Sequence, residues 1–348
     1  WAPAGMGIEQ FQGKLRSGDH QFAIAGSIDG DLLRATVESA GETFPLTFPV
    51  PAEGLRIGYG TLTVPRLGPG EQTVVEMYDP LSLSMGRAHL AYEGEETFPF
   101  AGEAVHTTIV STELNGVRSR AWVGDDGTIY QAEVPFGLVL KRITSEEALA
   151  GQSQTNGESL VNILAVHPEG LRPFRGARRM VLDLADTPAP ETIPTGGVQR
   201  WQENGTLIIE MPSEQTVLAL DSPEAVSAED ESLAPDPLVQ SDHEDIRRTA
   251  TEVVGVATSR WEKVQLLNSW VYENIEKKST LSLPSAIDVL KTREGDCNEH
   301  TVLYTALARA VGIPTRMAIG VVWSDDLGAF FYHAWPEVFM GEWVPIDP

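Results

Sequence analysis

The spacing of apolar residues changes once along the chain, and this change limits the folds that the chain can adopt. From about Ile8 to Met211, short apolar runs alternate with Gly, Asp, Asn and Pro, as in "HQFAIAGSIDGDLLRATVESAG". Such spacing is typical of antiparallel strands joined by tight turns. After Asp242 the apolar residues recur at helical spacing, and strand-like runs follow near the end of the chain. The sequence therefore predicts an α+β protein, with a β-rich antiparallel N-terminal region followed by an α+β unit.

Two hairpins can be located within the β-rich region. The runs "RAWV" and "TIYQAEV" flank "GDDG", and the stretch "RWQENGTLIIEM" contains the pair Asn204-Gly205. Asn and Gly tolerate the positive φ that tight hairpin turns require. We therefore expect each stretch to fold back on itself as two antiparallel strands.

The helical part begins with two amphipathic segments. In the first, "SDHEDIRRTATEVVGVA", Ser241 and Glu244 have the spacing of a capping box, which predicts a helix start at Ser241. The second segment is "WEKVQLLNSWVYENIEKK", and "SAIDVLKTREG" is a shorter third. The apolar faces predicted for the first two helices are Ile246, Ala250, Val253, Val254 and Ala257, and Val264, Leu267, Val271 and Ile275.

An acidic, Pro-containing run without a period, "SPEAVSAEDESLAPDPLVQSD", separates the two parts of the chain. Such composition favours a connection between domains. We therefore predict three segments: a β-rich region of one or two subdomains at 1–221, a connecting segment at 222–242, and an α+β core at 243–348.

Charge and cysteine content exclude several classes of protein. Fifty acidic residues against twenty-five basic ones give a net charge of −25, which repels nucleic acids and anionic membrane surfaces. A single cysteine excludes an intramolecular disulfide and every cysteine-rich zinc motif. No apolar run is long enough to cross a bilayer. Because the chain begins with Trp1 and not with Met, we interpret it as a mature or trimmed piece, and we expect any signal peptide or membrane anchor to lie upstream, outside this chain.

The one cysteine, Cys297, lies in "TREGDCNEHTVLYTALARAVGIPTR". A helix is expected after it, with Val302, Leu303, Ala306, Leu307 and Ala310 on its buried face and Gly312 and Pro314 at its end. Cys297 would then occupy the first turn, where the positive end of the helix dipole and unpaired N–H groups favour a thiolate.

Three interpretations of Cys297 are open. A lone cysteine is most often a small buried residue of the core. Its polar neighbours Asp296, Asn298 and Glu299 argue against burial. A metal site would have Cys297 and His300 as two ligands, with no evident third or fourth. We favour the third interpretation, a nucleophile.

A thiol nucleophile needs an imidazole to carry its proton and an acceptor to orient that imidazole. His333 lies in the strand-like run "FFYHAWPEVF", and Asp347 follows "EWVPI" on an expected neighbouring strand. Side chains of adjacent antiparallel strands come within hydrogen-bonding distance of one another. His333 and Asp347 are therefore the predicted partners of Cys297.

The three motifs "GDCNEH", "HAWPEV" and "EWVPIDP" resemble, in this order, those of the transglutaminase-like superfamily, in particular bacterial members with a β-rich N-terminal region. The resemblance implies a papain-like, transglutaminase-like α+β core. It also implies that Cys297 is the catalytic nucleophile, His333 the general base and acid, and Asp347 the orienting carboxylate. Pro336 departs from a regular strand, and we expect it to interrupt the ladder because it cannot donate a backbone hydrogen bond.

These observations predict a thiol amidase or acyltransferase that attacks protein or peptide amides and forms an acyl-enzyme. Hydrolysis is slightly favoured over transfer to an amine, and no cofactor or metal is expected. The Cys297 N–H should hold the oxyanion with a second donor that the sequence does not identify. The alternative is a non-catalytic binding or assembly module whose β-rich region holds a partner. The expected location is the bacterial periplasm, the cell envelope or the exterior, with the cytoplasm left open.

Overall fold

The computed structural model describes residues 9–17, 20–39, 41–50, 67–79, 84–114, 117–134, 138–147, 165–170, 172–174, 176–184, 193, 195–202, 204–220, 230–278 and 285–348. These residues form antiparallel sheets in the first part of the chain and helices with further strands in the last part. The predicted α+β class is confirmed.

The first ten strands form two antiparallel sheets. Strands β1 to β4 pair in chain order, and the next six pair in the order β10-β9-β8-β7-β6-β5. Alternate residues of the larger sheet, such as Val75, Met77, Ala88 and Leu90, are buried in one apolar cluster, as the two-residue period of a strand requires. The strands are β1 Gln10–Ser17, β2 His20–Asp29, β3 Leu32–Ser39, β4 Glu42–Pro49, β5 Gln72–Asp79, β6 Ser84–Phe100, β7 Glu103–Leu114, β8 Val117–Gly124, β9 Ile129–Val134 and β10 Leu138–Lys141.

Both predicted hairpins are present. β8 pairs with β9 across the "GDDG" turn. A smaller sheet of β11 Arg179–Asp183, β12 Gln199–Trp201 and β13 Thr206–Glu210 contains the second hairpin, in which β12 pairs with β13. Gly205 lies in this turn with a φ of 88°, which a residue with a side chain adopts only with strain.

Five α-helices are described in the C-terminal part, and all five contribute residues to one apolar core. They are α1 Glu214–Leu220, α2 Glu244–Val254, α3 Arg260–Asn274, α4 Ala286–Thr292 and α5 Cys297–Ala310, with a short 3-10 turn at Asp230–Ser232. The predicted apolar faces of α2 and α3 are largely confirmed, since Ile246, Ala250 and Val254 and Val264, Leu267 and Val271 are buried. The cap of α2 was predicted wrongly, because its N-cap is His243, whose ring accepts a hydrogen bond from Asp245 N, and not Ser241.

Helix α5 is buried on all sides, which differs from the single buried face that its sequence suggests. Every residue from Glu299 to Ala308 is buried, including Thr301 and Thr305. The Thr305 hydroxyl donates to Thr301 O at 2.7 Å, so that this polar group is satisfied inside the helix. Ala310, expected on the buried face, is only partly buried. Because α2, α3, α4 and the following strands all pack on α5, it is the central helix of the core.

The last strands form an antiparallel sheet in the order β16-β17-β18, with β16 Thr315–Ser324, β17 Ala329–Phe339 and β18 Trp343–Pro345. A two-stranded pair of β14 Glu276–Lys277 and β15 Glu294–Gly295 precedes α5. These strands bring the segment after α3 next to the start of α5.

Pro336 does not interrupt β17, and the expectation that it would is wrong. The strand runs through it, and Pro336 pairs with Met317 of β16. Phe330 exchanges both of its backbone hydrogen bonds with Val166, so the groups of Phe330 point away from β16. Because alternate residues of a strand repeat this direction, Pro336 also points away from β16, and its carbonyl accepts from Ile346 N at 2.8 Å. The backbone N–H that Pro336 lacks would point away from β16, so its absence removes no hydrogen bond between β16 and β17.

The chain divides into two compact units, one of residues 1–12, 25–36 and 45–164 and the other of residues 13–24, 37–44 and 165–348. The predicted connecting segment is described from Asp230 onward, and its residues Val239 and Gln240 are buried; residues 221–229 lie outside the described part. The three predicted domain boundaries stay a prediction. Among the described helices, none has the length and apolar character needed to cross a membrane.

Candidate active site

Hydrogen bonds around Asp296, the residue before Cys297, fix the position of the first turn of α5. Asp296 is the N-cap, and its carboxylate accepts from Asn298 N at 3.0 Å. Glu299 completes a capping box by accepting from Asp296 N at 2.9 Å. Gly295 lets Glu299 fold back, because a Cβ on Gly295 would collide with the Glu299 side chain. Cys297 is the first helical residue and is partly exposed.

His333 on β17 lies between Cys297 and Asp347. Its Nε2 is 3.0 Å from Asp347 Oδ1, and the Cys297 side chain lies close enough for a hydrogen bond to it to contribute to the raised pKa of His333. Because Nε2 faces Asp347, Nδ1 is the ring nitrogen left for the thiol. The structure thus brings together the three residues predicted from the sequence, in the order thiol, imidazole, carboxylate.

Asp347 reaches His333 from the segment just after β18 and not from within a strand. The backbone hydrogen bond that Ile346 N donates to Pro336 O, at 2.8 Å, joins this segment to β17. The Asp347 side chain is 71% exposed, whereas that of His333 is 22% exposed. Solvent therefore screens the charge of the Asp347 carboxylate, so Asp347 orients the His333 ring mainly through the hydrogen bond between them.

The pKa of His333 is raised to about 9, first by its hydrogen bond to Asp347 and then by its hydrogen bond to Cys297, while partial burial opposes the rise. The negative charges that Asp347 and Cys297 can carry act in the same direction. A histidine with this pKa is mostly protonated at neutral pH, so it can balance a negative charge on the thiol.

Trp335 stacks beside His333, with ring centroids 6.2 Å apart and planes 18° from parallel. His333 pairs across the ladder with Gly320. A Cβ on Gly320 would lie 2.8 Å from Cη2 of Trp335, which is closer than real Cβ contacts. The absence of a side chain at Gly320 therefore leaves the space in which Trp335 lies next to the His333 ring.

Tyr332, which precedes His333 on β17, contacts the first turn of α5. Its hydroxyl donates to Asn298 Oδ1 at 3.1 Å. Burial raises the pKa of Tyr332, and the nearby Cys297, Asp296 and Glu299 raise it further. Tyr332 therefore stays a neutral hydrogen-bond donor at physiological pH.

His300, the other ligand of the metal interpretation, lies inside the core. Its Nδ1 is 2.7 Å from Asp296 O, and burial lowers its pKa. Within the described residues, no group of three or more His, Cys, Asp or Glu side chains is arranged to hold a metal ion.

Sequence reasoning did not identify Asn298, Tyr332, Trp335 and Gly320 as parts of this site. Asn298 and Tyr332 are the chain neighbours of Cys297 and His333, and this adjacency was the only available signal. Gly320 carried no signal, because its importance depends on the register of β16 against β17.

Comparison with known proteins adds the family. The family model of the transglutaminase-like superfamily matches residues 247–348. No curated protein matches the chain significantly. The superfamily match supports a cysteine-type enzyme at the level of the superfamily.

Three solved structures are similar to parts of the chain. A candidate cysteine protease from Cytophaga hutchinsonii is 22% identical, with a TM-score of 0.34, over 53% of this chain and 68% of that one. The periplasmic domain of TgpA from Pseudomonas aeruginosa, bound to ethylmercury, is 18% identical, with a TM-score of 0.29, over 53% and 69%. A candidate protease from Parabacteroides distasonis is 13% identical, with a TM-score of 0.26, over 98% and 68%.

These TM-scores are too low to carry an argument by themselves. The family model, in contrast, spans α3, α4, α5 and the three last strands, which include Cys297, His333 and Asp347. In residues 247–348, the chain matches the transglutaminase-like superfamily.

Proposed function

We propose that the protein is a thiol amidase or acyltransferase that acts on amide bonds of proteins or peptides through Cys297, His333 and Asp347. The observation that carries the proposal is the position of the His333 ring, which is 3.0 Å from the Asp347 carboxylate and whose pKa is raised by both Asp347 and the Cys297 thiol. Covalent acyl transfer needs these three groups in this order, as nucleophile, proton carrier and orienting acceptor.

In the first half of the proposed reaction, His333 holds the proton of the Cys297 thiol, Cys297 Sγ forms a bond to the amide carbon, and an electron pair of the C=O bond moves to the oxygen. When the C=O bond reforms, the C–N bond breaks, and His333 gives its proton to the departing nitrogen. A thioester and a free amine result. His333 is suited to this donation because its pKa of about 9 keeps it protonated at neutral pH.

In the second half, water attacks the thioester and His333 takes up the proton of that water. The C–S bond breaks, and a carboxylic acid and free Cys297 result. An amine in place of water would give a new amide by the same steps. We favour water, because Cys297 and His333 are partly exposed and Asp347 is mostly exposed, so that solvent reaches the acyl group.

The proposed substrate class and location follow the resemblance of the three motifs to bacterial members of the superfamily. We propose that the substrate is a protein or peptide and that the enzyme works in the periplasm, the cell envelope or outside the cell.

The first test measures whether Cys297 is an activated thiol. Alkylation by iodoacetamide at about pH 6 should be at least tenfold faster than that of a free cysteine peptide, whose pKa of about 8.5 leaves it almost entirely as thiol. Because the chain has one cysteine, the mass of the intact protein reports on Cys297 alone. Cys297→Ser is the control that takes up no label. A rate equal to that of the peptide would mean that the thiol is not activated.

A second arm of the same test separates the enzyme from a binding module. With 4-nitrophenyl acetate, the enzyme should release a burst of about one nitrophenolate per molecule and then turn over slowly as water resolves the acyl group. Adding glycine amide shows from the products whether transfer competes with hydrolysis. A protein with no burst and no turnover would instead be the non-catalytic module.

A further inference from the structure

Acyl transfer at Cys297 requires two hydrogen-bond donors for the oxyanion, and only one is evident from the position of Cys297. As the first residue of α5, Cys297 contributes a backbone N–H that the helix itself leaves unpaired. Removing one of two such donors typically lowers the rate of acyl transfer by 10²- to 10³-fold, so the second donor is a major part of the machinery.

Asn298, the residue after Cys297, has a side-chain amide whose oxygen is hydrogen-bonded and whose nitrogen is not, among the residues that the structure describes. Its Oδ1 accepts from the Tyr332 hydroxyl at 3.1 Å, and its backbone N–H is held by the Asp296 carboxylate at 3.0 Å. The side-chain Nδ2 of Asn298 makes no hydrogen bond within the described part of the chain. The amide therefore has a fixed acceptor end and two N–H donors that are not used in the resting protein.

We propose that the side-chain amide of Asn298 is the second oxyanion donor and that Tyr332 is the positioning residue that orients it. The proposal rests on the proposed function, since only an acyl-transfer reaction forms an oxyanion at Cys297.

Asn298 is a better donor than the Tyr332 hydroxyl itself. Tyr332 has one hydroxyl proton, and in the resting protein it gives that proton to Asn298. To reach an oxyanion it would have to break this bond, whereas oxyanion donors act best when they are already in place before the reaction. The Asn298 amide needs no such exchange, because the bond that orients it uses its oxygen and leaves its N–H groups available.

The electrostatic surroundings fit this assignment. The Tyr332 hydroxyl lies at the first turn of α5, since it donates to Asn298 Oδ1 at 3.1 Å. Tyr332 is partly buried, so its bond to Asn298 is less exposed to competition from water than a surface bond. The pair can therefore hold the amide in one orientation.

The experiment compares two reactions of the same thiol. Acylation by 4-nitrophenyl acetate passes through an oxyanion, whereas alkylation by iodoacetamide displaces iodide from a saturated carbon and forms none. The ratio of the two rates therefore reports on oxyanion stabilisation and cancels changes in thiol reactivity. In Asn298→Ala we expect this ratio to fall about 10²-fold. Asn298→Leu, which keeps the size of the side chain and removes both donors, should give the same fall.

Asn274→Ala is the matched control, because it removes an amide that donates to Trp270 O at 2.9 Å on the exposed side of α3. Its ratio should equal that of the wild type. A wild-type burst with an unchanged ratio in both Asn298 variants would overturn the assignment of the donor. A wild type without any burst would overturn the proposed function, and this assignment with it.

The role of Tyr332 is tested by a double-mutant cycle. Tyr332→Phe should lower the ratio by about tenfold, as expected for loss of one ordinary hydrogen bond. In the Asn298→Ala background it should lower the ratio no further, because a residue that acts through another has no effect once that residue is gone. An equal fall in both backgrounds would mean that Tyr332 acts independently of Asn298, and would overturn its assignment as the residue that orients the Asn298 amide.

Discussion

Helix α5 has two regions that differ in what surrounds them. In its first turn, Cys297 and Asn298 are partly exposed and hydrogen-bond side chains of β17. From Thr301 to Ala308 every residue is buried, and the neighbours are apolar side chains of the core. The first region can change its protonation and contact a substrate, whereas the second can only contribute packing. Substitutions in the two regions should therefore separate reactivity from stability.

The largest effect is expected at the partners of the first turn. Asp347→Asn should lower the rate of acylation by up to about 10⁴-fold, because a neutral amide can hold His333 in the wrong tautomer. His333→Ala should lower it at least as much. The double variant should lose little more than His333→Ala alone, since residues that act as one unit are not additive.

Acylation and alkylation rates of the single and double variants, with circular dichroism to show that each is folded, check this prediction. Fully additive losses would mean that Cys297 is a reactive cysteine without a proton relay, and the first turn would then differ from the rest of α5 only in exposure.

The next effect tests the buried region of the helix. Leu307 is fully buried in the core, so Leu307→Ala should lower the free energy of unfolding by about 2–5 kcal/mol. The burst per folded molecule should stay close to one. Leu266→Ala on the partly exposed side of α3 is the control, and it should change stability by less than about 1 kcal/mol. Urea unfolding gives the stabilities, and a burst that falls in proportion to stability would contradict the separation of the two regions.

The sequence predicts where α5 begins and ends, but not how fully it is buried. The "GDC" turn, the helix signal after it and the end at Gly312 and Pro314 predicted where α5 starts and stops, because caps and breakers act locally. The periodicity of α5 indicated one buried face, since a helix packed on all sides can still carry a small polar residue such as Thr305, whose hydroxyl donates to Thr301 O within the same helix.

The contacts of the first turn were predicted only in part. His333 and Asp347 were found because imidazole and carboxylate have a chemical reason to be near a thiol. The Tyr332 bond to Asn298 and the space that Gly320 leaves for Trp335 depend on how β17 lies against α5 and β16. A pattern within one element carries no information about such contacts between elements.

The smallest expected effect uses pH, because His333 beside the first turn of α5 and His300 just before the buried region have pKa values that are shifted in opposite directions. The pKa of His333 is raised to about 9 in the folded protein, mainly by Asp347, so its contribution to stability is fully present below about pH 6.5 and is lost as the pH rises through 9. Burial lowers the pKa of His300, near Lys277 and Glu299, so its contribution is present above about pH 6.5 and is lost as the pH falls.

Asp347→Asn removes the main cause of the His333 shift and leaves His300 unchanged. The wild type should therefore be more stable than Asp347→Asn by an amount on the order of 1 kcal/mol at pH 6, because the mostly exposed carboxylate is screened by solvent. In urea unfolding this difference should shrink toward zero by pH 10, while both proteins should lose the same stability between about pH 6 and about pH 5, where Asp347 still carries its charge. A difference that is constant or grows with pH would mean that His333 does not gain its proton from the contact with Asp347.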